Sequence, residues 1–287
     1  MLIFNQQDGF DGFTTPDGHT RLLNLRPPKA KASPRLAASF PIMDRKEVIQ
    51  HLTDMGGSTN RLASFGTLIP RYNQMNIGEC EPVSEVECVG MLRAMMGLPF
   101  KRLSPSFVYA HINNGFDQGA SVGDGLAVLQ QFGTPSEELC PTGKFFLKEQ
   151  ITSDMYADAR NHRAIFAFHC PTIEEIWTAH FMGAAIVHGV VVGNEFSKFD
   201  SMGRPGMEHG APNHAVSIMD LVLSPDGQID FLDLNHWGEW GPLGGLFHTS
   251  ESAYGLQTYQ DAIAYQTISV SPTEMGGFIP ASPIQLA

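Results

Sequence analysis

From residue 80 to 96 the apolar positions recur every three to four residues. Val83, Val86, Val89 and Gly90, then Leu92 or Met96, fall on one face of a predicted helix. Pro82 fits its first turn, where the missing N–H is not needed. A shorter helix is predicted over 45–55, capped by Asp44 and stopped by Gly56 and Gly57. Further helical stretches read at 106–113, 126–132 and 174–185. The pattern then changes. Residues 164–169, 187–193, 214–223 and 228–234 are runs of strand length, and Ser-Pro-Asp-Gly at 224–227 is a hairpin turn between the last two. Helices early and strands late make an α+β chain, with a helical lobe of about 66–141 and a β-rich lobe of about 151–287. Ahead of both, residues 1–40 are rich in Gly, Asp and Pro and read as an extended N-terminal arm, leaving 41–287 as the main domain.

Composition narrows the classes. With 287 residues, 43% of them hydrophobic, the chain can bury the core of one two-lobed domain or two small ones. Its net charge of −12 is uneven. Residues 21–35 hold Arg21, Arg26, Lys29, Lys31 and Arg35 and no acid, which leaves 13 basic residues against all 30 acids elsewhere, a charge of −17. Such a main body repels nucleic acid. Pro27, Pro28 and Pro34 keep the basic segment out of helix or central strand. It reads as a solvated linker, or as an arm docking on an acidic partner or on the chain's own cleft. Of the docking readings, an assembly partner such as a virion component is favoured. The longest apolar run, 183–193, is too short to cross a bilayer, so no membrane is expected. The opening MLIFNQQDGF lacks a basic start and a long apolar run, so synthesis in the cytoplasm without a signal peptide is expected.

The chemistry concentrates in three short stretches: NQMNIGEC ending at Cys80, NHAVSIMDL around His214 and DLNHWGEWG around Asn235. A thiol is mostly protonated at pH 7, and only the thiolate attacks well. At the start of a helix Cys80 gains from the partial positive charge there. His214 is suited to take the thiol proton and later return it to a leaving amine. Asn235 is suited to hold the other ring nitrogen and so fix the tautomer. His214 and Asn235 follow Cys80 by 134 and 155 residues, near the roughly 130–150 characteristic of papain and the cathepsins. Three of the four cysteines remain if Cys80 stays free, which does not pair up. No CxxC, HExxH, phosphate-binding glycine loop or dinucleotide fingerprint appears, so no metal and no cofactor are expected.

Over roughly residues 65–250 the chain resembles the papain-like cysteine peptidases, in particular the divergent versions of bacteria and their phages. Gln74 lies six residues before Cys80 and Gly78 two before it, as in that family. Asn235, Trp237 and Gly238, then Trp240, Gly241 and Gly244, resemble its Asn-x-Trp-Gly element, with His236 where Ser is usual. LSPSFVYA at 103–110, the glycine loop at Gly123 and Gly125, and GTPSEELCP at 133–141 look like further landmarks. The resemblance implies a two-lobed fold, a helical lobe beside a β-barrel-like one with the active cleft between them. It implies that Gln74 and the Cys80 N–H hold the oxyanion, that Trp237 covers the Asn–His bond, and that Gly123 and Gly125 bind substrate.

Glu79 and Glu81 depart from the family by flanking the nucleophile. If solvated at about 6–8 Å, each opposes the thiolate by roughly 0.5–0.7 kcal/mol, which weakens the site without abolishing it. The function expected is hydrolysis of peptide bonds through a Cys thioester. The alternatives are a structural virion or tail component that keeps the fold, and a peptidoglycan-cleaving amidase or endopeptidase. The Asn-x-Trp-Gly element argues against the amidase.

Overall fold

The computed structural model describes residues 11–15, 18–23, 25–27, 33–271 and 274. The helices are α1 (Arg45–Asp54), α2 (Arg61–Phe65), α3 (Cys80–Met95), α4 (Pro105–Ile112), α5 (Asp124–Gln131), α6 (Ser153–Ala159), α7 (Ile173–Phe181) and α8 (Glu251–Tyr254). The strands are β1 (Asp11–Thr14), β2 (Thr20–Leu23), β3 (Leu25–Arg26), β4 (Ala120–Ser121), β5 (Ala164–His169), β6 (Ala185–Val190), β7 (His214–Leu223), β8 (Ile229–Leu234), β9 (Leu246–Ser250) and β10 (Ala262–Ile268). No helix among the described residues is long and apolar enough to cross a membrane.

Local signals set several boundaries. Asp44 caps α1 in a reciprocal capping box with Glu47. Ser104 caps α4 and Pro105 opens it, one residue before the predicted start. The turn between β7 and β8 closes through the Ser224 N–H on the Gln228 carbonyl, with Gly227 at φ 81°.

α3 differs from its expected form. The sequence predicts one apolar face, yet every residue from Cys80 to Ala94 is buried. The helix packs against β6, β7 and β10 of the sheet and against α4 and α5. Its glutamates are therefore inside the protein, each needing its own partner.

β5 to β10 form one antiparallel sheet in the order β5-β10-β6-β7-β8-β9. Alternate residues serve opposite faces. Ala185 and Val187 join the core around α3, while Ile186 between them joins a second core with α1 and α7. Both faces are covered, which is why β6 reads as a continuous apolar run. The barrel-like closure is not formed. Among the described residues the edge strands β5 and β9 do not pair with each other, and the sheet is open. β10, returning from the end of the chain to lie between β5 and β6, was not foreseen.

The described parts of residues 1–40 pack on the body. β1 and β2 form a hairpin. β3 pairs in parallel with β4. Leu36 is fully buried in the second core, and Arg35 is paired with the buried Glu175 at 2.9 Å. Lys29 and Lys31 of the basic segment lie outside the described residues.

Candidate active site

Cys80 is the first residue of α3, where free backbone N–H groups concentrate positive potential. Glu79, at the N-cap position, does not cap the helix with its side chain. Its carboxyl turns away to accept from Ser106 Oγ at 2.9 Å and from the Gly143 N–H at 3.1 Å. The loop before Cys80 is tied across to the loop after β8. The Gln74 N–H donates to the His236 carbonyl at 2.9 Å, and Asn73 bridges Trp237.

The second wall is the β7–β8 hairpin. His214 opens β7, and Asn235 directly follows β8. His214 Nε2–H donates to Asn235 Oδ1 at 3.0 Å, and the His236 N–H donates to the same oxygen at 2.9 Å. Two donors on one atom fix which end of the amide is oxygen. His214 Nδ1 is then the acceptor nitrogen of the neutral ring, and it is buried with no hydrogen-bond partner among the described residues. The Asn235 N–H is itself held by the Gly245 carbonyl at 2.8 Å. Gly245 must be glycine: its φ is +88°, and a Cβ there would lie 2.5 Å from the Gly238 carbonyl oxygen.

Trp237 lies with its ring 4.7 Å from that of His214. Phe13 from the N-terminal hairpin stacks on Trp237 at 5.3 Å, and Phe196 and Trp240 meet its edge. The indole is 2% exposed, so the His214–Asn235 bond is roofed against water. His236 joins the two walls. Its Nε2 reaches the Ala215 carbonyl at 2.8 Å and Ser84 Oγ at 3.2 Å, and Ser84 Oγ donates to the Cys80 carbonyl at 3.0 Å. It is a buried structural link.

Burial sets the charge states. It pushes the His214 imidazolium down to about 4, with the Asn235 bond opposing. It pushes His236 well down too, helped by His214. Burial also pushes the Glu79 carboxyl up to about 8. Glu81 is raised by burial and then by Glu85, against the Gly125 N–H that it accepts. Burial thus opposes a charge on both flanking glutamates. The opposition to a thiolate expected of solvated carboxylates does not apply to them.

Two expected substrate contacts are otherwise engaged. Gln74 Nε2 donates to the Ile77 carbonyl at 2.8 Å and lies 3.5 Å from the Leu22 carbonyl of β2. The Gly123 and Gly125 N–H groups, expected to hold substrate, both donate to Glu81 Oε1. The edge beside them is β4, and β3 is paired to it. Sequence reasoning also passed over Asn213, whose carbonyl accepts the Leu25 N–H at 3.1 Å. Its place directly before His214 was the available signal.

Cys88, Cys140 and Cys170 are free and buried, as is Cys80. Burial raises Cys140 to about 11 and Cys88 and Cys170 further. None of these three is placed at a helix start beside an imidazole. Among the described residues no three His, Cys, Asp or Glu side chains gather as around a metal ion.

No protein-family model and no curated protein matches the sequence. Solved structures do match the fold. Xylellain, a cysteine protease from Xylella fastidiosa, superposes with a TM-score of 0.62 at 20% identity, over 86% of this chain and 96% of its own. The fold is that of the papain-like cysteine proteases. Bromelain from Ananas comosus gives a TM-score of 0.59 at 14% identity, over 75% of this chain and 99% of its own. The cysteine protease and lectin-like domains of Cwp84, a surface layer associated protein of Clostridium difficile, give 0.61 at 17%, over 75% and 52%. At these identities the likeness is one of papain-like fold. The chemistry rests on this chain's own residues.

Proposed function

We propose that the protein is a papain-like cysteine peptidase that cleaves peptide bonds through a thioester on Cys80. The observation that carries this reading is the His214 Nε2–H bond to Asn235 Oδ1. It presents Nδ1 as a proton acceptor in the wall facing a helix that begins with Cys80. In the reaction the thiol proton passes to His214 Nδ1 and the sulfur attacks the peptide carbonyl. Gln74 Nε2, released from the Leu22 carbonyl, and the Cys80 N–H stabilise the oxyanion. The tetrahedral adduct collapses, the amine leaves with the proton from His214, and a thioester remains. Water, deprotonated by the same imidazole, releases the acid. Asn235 keeps the ring in the required tautomer throughout.

The substrate class is peptide or protein. The bacterial sources of xylellain and Cwp84 support a bacterial setting, and four free thiols are compatible with synthesis in a reducing cytoplasm. The reading as a virion component draws on the basic arm. Three of its five basic residues are engaged within the chain: Arg21 with Asn73, Arg26 with Gln118 and Arg35 with Glu175.

Acid-quenched turnover of a peptide ester, followed by mass mapping, tests the assignment. An acyl adduct on the peptide containing Cys80 is expected, with none in Cys80→Ala. Hydrolysis that persists in Cys80→Ala at the wild-type rate would refute it.

A further inference from the structure

The residue after Cys80 holds the start of a second helix. α5 begins at Asp124, and its N-cap position is Gly123, which has no side chain to cap it. Glu81, the second residue of α3, reaches across and caps it instead. Its Oε1 accepts the Gly123 N–H at 2.9 Å and the Gly125 N–H at 3.2 Å. The positive end of α5 there supports one negative charge. Asp124 Oδ2 steadies the same loop by accepting the Ser121 N–H at 3.0 Å.

Glu85 lies one turn further along α3, on the same face as Glu81. Both are fully buried. Gly125 makes room for Glu85: a Cβ there would collide with Glu85 Oε2 and lie 3.0 Å from Val108 Cγ1 of α4. Glu81 Oε2 is buried and receives no hydrogen bond from the described residues. Two ionised carboxylates are acceptors only, and side by side in a low-dielectric site they do not both ionise. A proton on Glu85 supplies the missing donor. Burial, and then Glu85, push the Glu81 carboxyl up, against the Gly125 N–H. Asp124 of α5, Tyr265 of β10 and Cys88 of α3 also face the pair, and none of the three is a cation. Arg61, beyond Cys88, is met by Asp220.

We propose that Glu81 and Glu85 hold one proton between them and act as a positioning pair, fixing the first turn of α3, and with it the Cys80 N–H, against the glycine loop at the head of α5. The proposal rests on the peptidase reading above, in which that N–H holds the oxyanion. Loss of the last proton puts a second charge on the pair. The head of α5 supports only one, so Glu81 parts from the loop and the first turn of α3 loosens. The unfolded carboxyls release their protons above the ordinary value of 4.5, while the folded pair keeps one. Stability and clamp are therefore both lost as pH rises.

The first test reads the pair without any turnover. Carboxyl carbon resonances of Glu81 and Glu85 are followed in the full chain from about pH 6 to about pH 10. One proton, shared by the two and released only at alkaline pH, is expected. Glu85→Gln should leave Glu81 ionised throughout. Hydrogen exchange at the Gly123 and Gly125 amides, corrected for the intrinsic rate, should speed at least about 10-fold as the wild-type pair loses its proton. It should show no such step in Glu85→Gln. Two carboxylates already ionised at about pH 7 would overturn the shared proton, and wild type alone decides this if Glu85→Gln fails to fold. An unchanged exchange rate through the wild-type titration would overturn the clamp.

The second test joins the pair to turnover. Over the same pH range the wild-type kcat for a peptide substrate should fall by about 10-fold with KM within about 2-fold, because the contact weakened is one made in the transition state. Glu85→Gln should keep its kcat through that range. Glu79 adds no such loss, because its donors, Ser106 and Gly143, bind a carboxylate better than an acid. The same fall in Glu85→Gln would overturn the link to Cys80. A pair that titrates as described, in a chain that cuts no peptide at any pH, would sink the peptidase reading while the clamp stood.

Discussion

The two walls of the cleft store their ionisable groups in opposite ways. On the helical wall α3 and its N-cap carry Glu79, Glu81, Glu85 and Glu87, all fully buried. On the sheet wall His188, His214 and His236 are equally buried. Removal from water disfavours the charged form of each type, so it pushes carboxyls up and imidazoles down. Glu87 accepts from Ser217 Oγ at 2.6 Å and still rises to about 8. His214 falls to about 4. Between those values burial holds Glu87 and His214 largely neutral. A buried site of this kind favours a neutral thiol and imidazole over an ion pair between them.

Four changes break or sharpen this contrast. The largest effect is expected on the sheet wall. His214→Ala removes the base, and kcat/KM for a peptide substrate should fall by about 10⁴–10⁶-fold with an unchanged far-UV spectrum. A loss of less than tenfold would place the base elsewhere. Next is deletion of residues 1–40. Phe13, Leu23, Leu25 and Leu36 are buried, each contributing roughly 1.5–3 kcal/mol. The truncated chain should melt well below the full one, and an equal Tm would show that this packing counts for nothing. A smaller effect is expected at the junction of the walls. Gln74→Ala should lower kcat by about 10²-fold while leaving the fold intact. Unchanged turnover there would remove Gln74 from the oxyanion site.

The smallest effect concerns the helical wall and pH. Glu87 keeps a proton in the folded state that the unfolded chain releases above about 4.5. Its contribution to stability is therefore lost as pH rises from 4.5 toward 8. His214 runs the other way: stability is lost as pH falls from 6.5 toward 4, because only the unfolded imidazole takes up a proton. Glu87→Gln stays neutral throughout. Relative to wild type it should gain about 3–4 kcal/mol between pH 5 and pH 8, read by urea unfolding at both values. A difference independent of pH would mean that Glu87 is ionised in the fold.

What the sequence made legible was local. Asp44, Pro82, Gly56 and the Ser-Pro-Asp-Gly turn act through neighbouring backbone, and α1, α3 and the β7–β8 hairpin lie where these residues put them. The His214–Asn235 bond spans 21 residues across that hairpin, and short motifs mark both of its ends. The rest depends on distant partners. Glu79 looks solvated until Ser106 and Gly143 are placed beside it, and Glu81 until Gly123 and Gly125 are. Arg35 looks like part of a free basic arm until Glu175, 140 residues away, is found against it. β10 carries no mark of its place in the middle of the sheet, because strand order is set by pairing and not by the strand's own residues.

The central claim is that Cys80 alone is chemically armed, by the helix end beneath it and the imidazole opposite. Exposure of the full chain to an epoxysuccinyl thiol inhibitor, with mass mapping of all four cysteines, addresses it most directly. The account predicts one adduct, on Cys80, that is lost in His214→Ala, while Cys88, Cys140 and Cys170 stay unmodified behind raised pKa values. Modification of Cys80 and Cys170 at equal rates in the folded protein would contradict it.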